Sequence, residues 1–313
     1  MRSLTELIGN AGWHAWPRTR IRVSGEDAQS LLHNMCTNNV NELQPGQGCE
    51  AFFCDPRGRT VGFANVLRRD DCLVVETSPG QYDSLVSKLD RYVISEDVTF
   101  SNLDDSEGQL LAVGREALNQ LGLADKCSES LNCVELEIDG AKVRIAQLLI
   151  HDGCAAVLQY PLDRQESVIA HLSELGAEEL TDKEVELTRI SSGYPTYGVD
   201  LDQDNFPQEA DRDSLAINFH KGCYIGQETV ARIDAMGHVN RMLTGVSISG
   251  EHELTGVKLS LGDKEVGQVT SHVTNRETDE TIGIATIRCE ARTAEQQLQS
   301  TCGEVEVRSF PIQ

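Results

Sequence analysis

The sequence has few aromatic residues and no long apolar run. Phe, Trp and Tyr make up 5% of its 313 residues, and apolar residues make up 39%. No stretch approaches the roughly 18 consecutive apolar residues of a membrane-spanning helix, so we expect no membrane span. The N-terminal residues contain no sustained apolar segment of the kind found in secretory signal peptides. These absences favour a soluble, cytoplasmic protein.

The motifs of several common cofactor sites are also missing. The sequence contains neither the G-x-G-x-x-G of dinucleotide-binding folds nor a phosphate-binding P-loop. Its ten cysteines are spread along the chain, and none forms a C-x-x-C pair. This spacing argues against a zinc ribbon or a self-contained iron–sulfur motif, and we predict no metal ligands. Without an export signal, most of the thiols are expected to be reduced.

Basic residues are scarce relative to acidic ones. There are 27 Lys and Arg residues against 50 Asp and Glu residues, which gives a formal net charge of −23. Such a charge repels phosphates at long range, so direct, tight nucleic-acid binding by the whole surface is disfavoured. The arginines within residues 18–22 and 57–69 are candidates for a local basic patch, although solvated surface charge is the simpler interpretation.

Helical and strand patterns follow one another irregularly, in a chain long enough for two or three domains. Period-2 patterns predict strands at residues 21–23, 49–54, 60–69, 72–77, 97–102, 109–114, 132–138, 142–148 and 154–160. Helical patterns cover residues 26–36, about 78–93, 163–176, and the segment from a Thr181–Glu184 capping box to about residue 192. The lack of regular βαβ alternation indicates an α+β fold rather than a doubly wound sheet.

Beyond Met236 the pattern consists of short strands. They are predicted at about 239–248, 257–261, 264–274, 281–289 and 304–310, with one brief helical stretch at 294–298. Gly, Asn and Asp separate them, as is typical of a small all-β barrel. We therefore place a domain boundary near residue 240.

The densest chemistry lies in residues 220–228, which read His-Lys-Gly-Cys-Tyr-Ile-Gly-Gln-Glu. Lys221 precedes Cys223 by two positions, and such residues share a face in an extended segment. A cation there lowers the pKa of the Cys223 thiol. A helix that begins after Gly226 adds free N–H groups that favour a thiolate. Cys223 and Lys221 are thus candidate catalytic residues. The structural alternative is a tight turn with a buried, inert cysteine.

Three blocks of the sequence resemble a known family. Lys-Gly-Cys-Tyr-x-Gly-Gln-Glu resembles the signature of the YgfZ-type folate-binding proteins, relatives of the glycine-cleavage T-protein, an aminomethyltransferase. The opening block Val-x-Gly-x-Asp-Ala at residues 23–28, followed by a helix and Thr-Asn, is similar to theirs. So is Arg-x-x-x-Gly-x-Pro-x-x-Gly-x-Asp at residues 189–200, with a downstream Pro-x-Glu. The resemblance covers nearly the whole chain.

The resemblance implies a T-protein-like fold, with three lobes around a central hole that binds tetrahydrofolate or a one-carbon derivative. For this chain it implies a folate-binding domain of two lobes at residues 1–240 and a β-barrel domain at 241–313. It also implies an accessory role in iron–sulfur cluster assembly or repair, with iron–sulfur proteins as partners and an effect on cluster-dependent tRNA modification. Cys223 would be the working thiol.

The Gly/Pro segment, residues 189–209, is a candidate folate site. A loop of this length is ordered only when something packs against it. Its tyrosines offer flat faces for a pterin or p-aminobenzoyl ring, and Arg189 offers a fork for a glutamate carboxylate. An internal ion pair of Arg189 is the equal alternative. Together with the signature, the candidate folate-binding residues are Arg189, Tyr197, Glu209, Tyr224, Gln227 and Glu228.

One departure bears on activity. Aminomethyltransferases carry Gly-Gly-x-x-Asp-Asp in the second strand of the early sheet, and the first Asp is taken as catalytic. Aligned from Gly58, this sequence has Gly62 at the matching place. No carboxylate is then present there to stabilise a cationic iminium. The sequence therefore favours the accessory protein over its main alternative, a tetrahydrofolate-dependent aminomethyl or one-carbon transferase.

A third interpretation is a cysteine hydrolase in which Cys223 works with His220 or His238. His220 lies only three residues away, too close in an extended chain to face the thiol well. No Asn or Asp that could orient either imidazole is evident in the sequence. This interpretation remains the weakest of the three.

Overall fold

The computed structural model describes residues 2–123, 131–151, 153–237 and 239–312, so Cys127 and His238 lie outside the described residues. The strands in these ranges are β1 Gly12–Ala15, β2 Thr19–Ser24, β3 Gln47–Cys54, β4 Thr60–Arg68, β5 Leu73–Thr77, β6 Thr99–Asn102, β7 Glu107–Val113, β8 Leu131–Ile138, β9 Ala141–Leu148, β10 Ala155–Pro161, β11 Glu178–Glu179, β12 Arg241–Ser249, β13 Lys258–Leu261, β14 Lys264–Asn275, β15 Glu280–Arg288, β16 Gln297–Ser300 and β17 Gly303–Arg308. The helices are α1 Leu4–Gly9, α2 Ala28–Met35, α3 Tyr82–Leu89, α4 Arg115–Gln120, α5 Gln165–Glu174, α6 Asp182–Ser192, α7 Asp213–Ala216 and α8 Gln227–Met236.

Eleven strands form one sheet, in the order β11-β1-β7-β10-β9-β8-β3-β4-β5-β2-β6. Strands β1 and β11 pair in parallel, and the other pairs in this sheet are antiparallel. The pairing of β3 with β8 joins two lobes, one built on β2–β6 and the other on β1 and β7–β11. The sheet is therefore continuous across the boundary between the two lobes.

Each lobe covers one part of the sheet with its own helices. In the first lobe, α2 buries Leu31, Leu32 and Met35 in a core that also contains Phe53 and Val66. Their spacing is the helical period from which the sequence predicts this helix. In the second lobe, α4 and α5 share a core with β7 and β10. A further core, between the lobes and the barrel, contains residues from all three.

The C-terminal strands close into a six-stranded barrel, in the order β12-β15-β14-β13-β16-β17. The predicted α+β class with a C-terminal all-β barrel is thus confirmed. The helical stretch expected at residues 294–298 is wrong, because Gln297–Ser300 is strand β16. Leu298 is fully buried between the exposed side chains of Gln297 and Gln299, which is the alternation of a strand with one face on a core.

Helix α6 connects the two-lobed sheet to the barrel. Its predicted capping box is present, with Glu184 N–H donating to Thr181 Oγ1 (3.4 Å) and Thr181 N–H donating to Glu184 Oε2 (2.9 Å). The helix packs against β14 and β15 and ends before Gly193, whose φ of 74° is left-handed. The Gly/Pro segment therefore leaves α6 directly beside the barrel. Among the helices described, none has the length and apolar content needed to cross a membrane.

Candidate functional site

The signature loop, residues 220–226, lies on the C-terminal end of α2. The Lys221 ammonium donates hydrogen bonds to the backbone carbonyls of Cys36 (2.8 Å), Asn38 (2.7 Å) and His33. Farther along the loop, Ile225 N–H donates to the Asn34 carbonyl (3.0 Å). These carbonyls lie at the end of a helix, where the macrodipole favours a cation. Lys221 therefore fastens the loop to α2.

This geometry corrects the expected pairing of Lys221 with Cys223. An ammonium has three N–H donors, and all three are directed at carbonyls. Burial lowers the pKa of Lys221, and the nearby Cys36 and Cys49 thiols oppose that shift. The cation therefore acts on the buried Cys36 thiol and the half-buried Cys49 thiol. Its place in the structure is that of a positioning residue for the loop that carries Cys223.

Cys223 is exposed at the surface of this loop. After it, the chain turns at Gly226, whose φ is 84°, and α8 begins as predicted. A Cβ on Gly226 would lie 2.7 Å from the Asp55 carbonyl oxygen, so the loop fits against the β3–β4 turn only with glycine there. The surface placement contradicts the alternative of a buried, inert cysteine. It leaves the thiol available to a partner or substrate.

The other three signature candidates differ in burial. Tyr224 is buried in the core between the lobes and the barrel, and burial raises the pKa of its hydroxyl. Gln227 is half-buried and Glu228 is exposed, both on the first turn of α8. None of these three side chains lines the cavities described below. Their expected role in folate binding stays a prediction.

A histidine that sequence reasoning missed lies under the signature loop. His33 Nε2 lies 3.7 Å from the position a Cβ on Gly222 would occupy, next to Cys223. Its Nδ1 accepts a hydrogen bond from Asn41 N–H (3.4 Å), and burial together with Lys221 lowers the pKa of His33. By contrast, His220 is exposed. No sequence signal marks His33, because it reads as one more residue of α2.

Arg189 is committed to internal partners. Its Nη1 donates to Asp200 Oδ2 (2.8 Å) and to the Tyr194 carbonyl (2.8 Å), and its Nη2 donates to Glu186 Oε2 (2.7 Å). The Asp200 carboxylate also accepts hydrogen bonds from Thr270 and Ser271 of β14. The expected fork for a folate carboxylate is therefore corrected to an internal ion pair, which ties the Gly/Pro segment to the barrel.

Glu209 and Tyr197 line different surfaces. Glu209 is buried, accepts hydrogen bonds from Asn205 (2.7 Å) and Arg241 (3.0 Å), and borders a polar groove of 720 Å³ beside the barrel. Burial raises the pKa of its carboxyl, against the effect of those two donors. Tyr197 is half-buried, and its hydroxyl reaches the Thr60 carbonyl (3.4 Å). Tyr197 also packs against the hydrophobic core that contains Tyr224.

A second set of polar residues does converge, in the interior between the lobes. We call these residues the central polar cluster: Arg18, Asn65, Glu76, Gln109, Gln159 and Tyr194. The pair Asn65 and Glu76 face each other across β4 and β5, and Gln109 and Gln159 across β7 and β10. All six are buried, and Asn65 and Glu76 have no exposed surface. Sequence reasoning missed most of the cluster, because its members are scattered along the chain from residue 18 to residue 194.

Glu76 lies at the centre of the cluster. One carboxylate oxygen accepts from Asn65 Nδ2 (3.4 Å) and lies 4.0 Å from Arg18 Nε, while the other accepts from Gln159 Nε2 (3.1 Å). Asn65 also donates to the Tyr194 hydroxyl (3.3 Å), and burial raises the pKa of Tyr194 to about 12. The Gly/Pro segment thus contributes Tyr194, not Arg189, to this interior site.

The cluster is only partly satisfied. Within the described ranges, Asn65 Oδ1, Gln109 Nε2 and Arg18 Nε are buried without a hydrogen-bond partner. Native proteins seldom leave buried polar atoms unpaired, because each costs about 1–3 kcal/mol. Gln159 also lines a cavity of 320 Å³ whose other walls include Arg68, Arg69 and Arg144. A volume of this size lies within the usual range of small-molecule sites.

Gly62 faces away from the cluster. A Cβ at this position would lie 3.5 Å from Leu85 Cδ1 and 3.8 Å from Phe53, in the core of the first lobe. Because side chains alternate along a strand, Phe63 and Asn65 of β4 face the interior site instead. The absence of a carboxylate at position 62 therefore does not leave that site without an acid, since Glu76 supplies one. No group of three or more His, Cys, Asp or Glu side chains is placed to hold a metal ion in the ranges described.

Several known proteins are similar to this chain in sequence. It is 29% identical over 279 residues to a chloroplastic protein of Arabidopsis thaliana, covering 87% of this chain and 64% of that protein's length. It is 27% identical over 234 residues to the tRNA-modifying protein YgfZ of Escherichia fergusonii (71% and 67% covered). It is 26% identical over 269 residues to an aminomethyltransferase of Rubrobacter xylanophilus (83% and 71% covered).

A solved structure has the same architecture. The aminomethyltransferase T of the glycine cleavage system from Bartonella henselae superimposes with a TM-score of 0.81 at 15% identity, over 98% of this chain and 87% of that one. At this identity the likeness concerns the fold alone. Residues 17–221, well over half of the chain, match the sequence model of the GCVT N-terminal domain family. The chain belongs to the GCVT N-terminal domain family, which binds tetrahydrofolate.

Proposed function

We propose that the protein is a folate-binding accessory protein that supports iron–sulfur cluster assembly or repair, and through it cluster-dependent tRNA modification. The observation that carries the folate part is the central polar cluster, with its unpaired buried atoms in a family that binds tetrahydrofolate. The iron–sulfur part of the proposal is supported by the exposed Cys223, which lies in a signature that resembles that of YgfZ-type proteins. It is also supported by relatives named as tRNA-modifying proteins.

The hydrogen-bonding groups of the central polar cluster fit a reduced pterin. A pterin edge presents N–H donors and carbonyl or ring-nitrogen acceptors side by side. Asn65 Oδ1 offers an acceptor, Gln109 Nε2 and Arg18 Nε offer donors, and the Glu76 carboxylate prefers N–H partners. Tyr194 adds a flat ring at the same place. These residues would hold the pterin, and bound tetrahydrofolate would supply a carrier of one-carbon units.

The tail of a folate needs a different environment, which the cavity beside Gln159 provides. Arg68 and Arg144 line it, together with Glu135, which pairs with Arg144 (3.2 Å). Arg68 has no carboxylate within ion-pair distance in the described ranges. A glutamate carboxylate would find a cation there without displacing an existing ion pair.

Folate binding is tested by thermal shift and by titration with tetrahydrofolate and its 5-formyl derivative. A ligand that binds the native state raises its melting temperature in proportion to the logarithm of ligand concentration. With both reduced folates we expect a melting temperature that keeps rising with ligand concentration, and a titration that saturates. Absence of any shift at millimolar concentrations contradicts the folate assignment.

The working thiol is tested in cells that lack their own copy of the protein. Wild type should restore the activity of cluster-dependent tRNA-modifying enzymes, measured as modified nucleosides, and Cys223→Ser should not. Cys302→Ser, which changes a half-buried cysteine on the barrel, is the matched control and should restore them. Full restoration by Cys223→Ser contradicts the role of this thiol, whatever the folate result.

A second candidate function is aminomethyl transfer to tetrahydrofolate. The observation in its favour is Glu76, a wholly buried carboxylate within the central polar cluster, in a fold shared with an aminomethyltransferase. We predict no such transfer from a lipoyl-bound aminomethyl group, because Glu76 is already engaged by three cluster residues. Turnover at about 1 per second or faster would make this the function instead.

A further inference from the structure

The β3–β4 turn borders a small apolar pocket that the proposed function does not use. Phe53, Leu85 and Leu89 line its floor, and its volume is 150 Å³. An apolar cavity of about this size in another protein admits one benzene ring. The pocket therefore matches a single aromatic or large aliphatic side chain.

Cations stand at the rim of this pocket. Lys88 and Arg91 both line it, and neither is within ion-pair distance of a carboxylate in the parts of the chain described. Burial and the neighbouring Arg91 lower the pKa of Lys88, and only Asp55 opposes them. Asp55 also lines the pocket, but Lys88 and Arg91 outnumber it, so in a chain of net charge −23 the local charge has the opposite sign. An anionic group is the complement of such a rim.

The chain that leaves the pocket carries exposed apolar side chains. Tyr92, which lines it, is 37% exposed, and Ile94 two residues later is 90% exposed. Exposed large apolar side chains next to a pocket are typical of protein-binding surfaces. A small anion would cover the rim but leave these two side chains in water, so a polypeptide fits the whole surface better.

The pocket and the signature loop lie against the same turn. Cys54 and Asp55 line the pocket, and a Cβ on Gly226 would lie 2.9 Å from Cys54 Cβ and 2.7 Å from the Asp55 carbonyl oxygen. A chain seated in the pocket would therefore lie beside the loop that exposes Cys223. Because the pocket lies next to this loop, a partner bound there would be close to Cys223 whether or not folate is bound.

We propose that this surface, which we call the turn pocket (Phe53, Leu85, Lys88, Leu89, Arg91 and Tyr92), docks an acidic segment of a partner protein. A large apolar side chain of that segment enters the pocket, and flanking carboxylates pair with Lys88 and Arg91. The docked partner is thereby held next to Cys223.

The test uses a fluorescein-labelled peptide, Gly-Ser-Asp-Glu-Phe-Glu-Asp-Ser-Gly, and fluorescence anisotropy with the full-length protein. We expect saturable binding that weakens with salt and falls at least about tenfold in Lys88→Glu/Arg91→Glu. The matched control, Lys258→Glu/Lys264→Glu, makes the same charge change on the barrel and should bind as wild type. A peptide with Ala in place of Phe should also bind at least about tenfold more weakly.

A third variant, Val61→Phe, fills the pocket from β4 and should abolish binding without a change of charge. No binding by wild type, equal binding of the Ala peptide, or equal loss in both charge variants overturns the proposal. So does a dimer in sedimentation that Lys88→Glu/Arg91→Glu dissolves, because the occupant would then be a second copy. Thermal shift by tetrahydrofolate should be unchanged in Lys88→Glu/Arg91→Glu, so the folate assignment stands or falls separately.

Discussion

The Lys221 ammonium donates a 2.8 Å hydrogen bond to the backbone carbonyl of Cys36, across 185 positions of sequence. Together with the hydrogen bonds to the carbonyls of His33 and Asn38, this contact anchors the loop that carries Cys223. Lys221 therefore holds the Cys223 loop in place, while its own N–H groups are directed at backbone carbonyls. The distinction between anchoring and activation can be measured.

Replacing Lys221 by Met should destabilise the protein by about 1–3 kcal/mol, because buried carbonyls lose their donors. Urea unfolding at neutral pH measures the change. Lys142→Met is the control: its side chain is half exposed and pairs with Glu135, so we expect a change within about 0.5 kcal/mol. Equal effects of the two substitutions would mean that Lys221 does not anchor the loop.

Asp200 should be among the costliest residues to remove. Its side chain is wholly buried, pairs with Arg189 (2.8 Å) and accepts hydrogen bonds from β14. Asp200→Ala leaves part of a buried guanidinium uncompensated, so we expect a loss of about 3–5 kcal/mol. Asp163→Ala, at an exposed carboxylate, should cost little. Urea unfolding of both variants decides, and a cost below about 1 kcal/mol for Asp200→Ala would contradict the described ion pair.

Asp213 predicts a pH dependence of stability. Burial, followed by Asp211 and Asp234, raises the pKa of its carboxyl to about 6, and its Oδ1 is buried without a partner in the described ranges. A carboxyl whose folded pKa is raised stabilises the fold when protonated, and that contribution is lost as pH rises through about 6. Asp213→Asn should therefore be more stable than wild type at pH 8, by up to about 3 kcal/mol, with no gain near pH 4. Unfolding curves at both pH values test this, and a gain that persists at the lower pH would be inconsistent with the assigned shift.

The cysteines should alkylate in a defined order. Cys223 and Cys289 are exposed, while Cys36, Cys54, Cys72 and Cys154 are buried. Burial raises the pKa of Cys289, which lowers its thiolate fraction near neutral pH. Brief treatment with iodoacetamide at pH 7.5, followed by peptide mass spectrometry, should therefore find Cys223 labelled first among the nine cysteines that the structure describes. Faster labelling of any buried cysteine would mean that the signature loop is closed over its thiol in solution.

Sequence reasoning succeeded where the determinants are local. The Thr181–Glu184 capping box, the helix after Gly226 and the alternating barrel strands are each encoded within a few residues, and the structure contains them. It failed where a side chain has several possible partners far away. Whether Arg189 meets a ligand or Asp200, and whether Lys221 meets Cys223 or a helix end, is decided by packing that no local pattern records.

The interior site shows the same limit more strongly. Single Asn, Gln and Glu residues on strands read as ordinary polar positions, and only the pairing of β4 with β5 and of β7 with β10 brings them together. The family resemblance predicted a central folate site but assigned it to Arg189 and the signature. The register of the sheet cannot be read from the sequence. It brings Asn65, Glu76 and Gln109 into the interior, and these residues are our candidate folate-binding site.

The most direct test of the account is calorimetric titration of tetrahydrofolate into wild type, Asn65→Leu and Glu228→Gln, after each variant is shown to melt cooperatively. Asn65→Leu removes an amide of the central polar cluster at similar volume, whereas Glu228→Gln neutralises an exposed signature residue. We predict binding by wild type and Glu228→Gln alike, and affinity at least about tenfold weaker in Asn65→Leu. Undiminished binding by Asn65→Leu, with loss in Glu228→Gln, would place the folate at the signature and contradict the account.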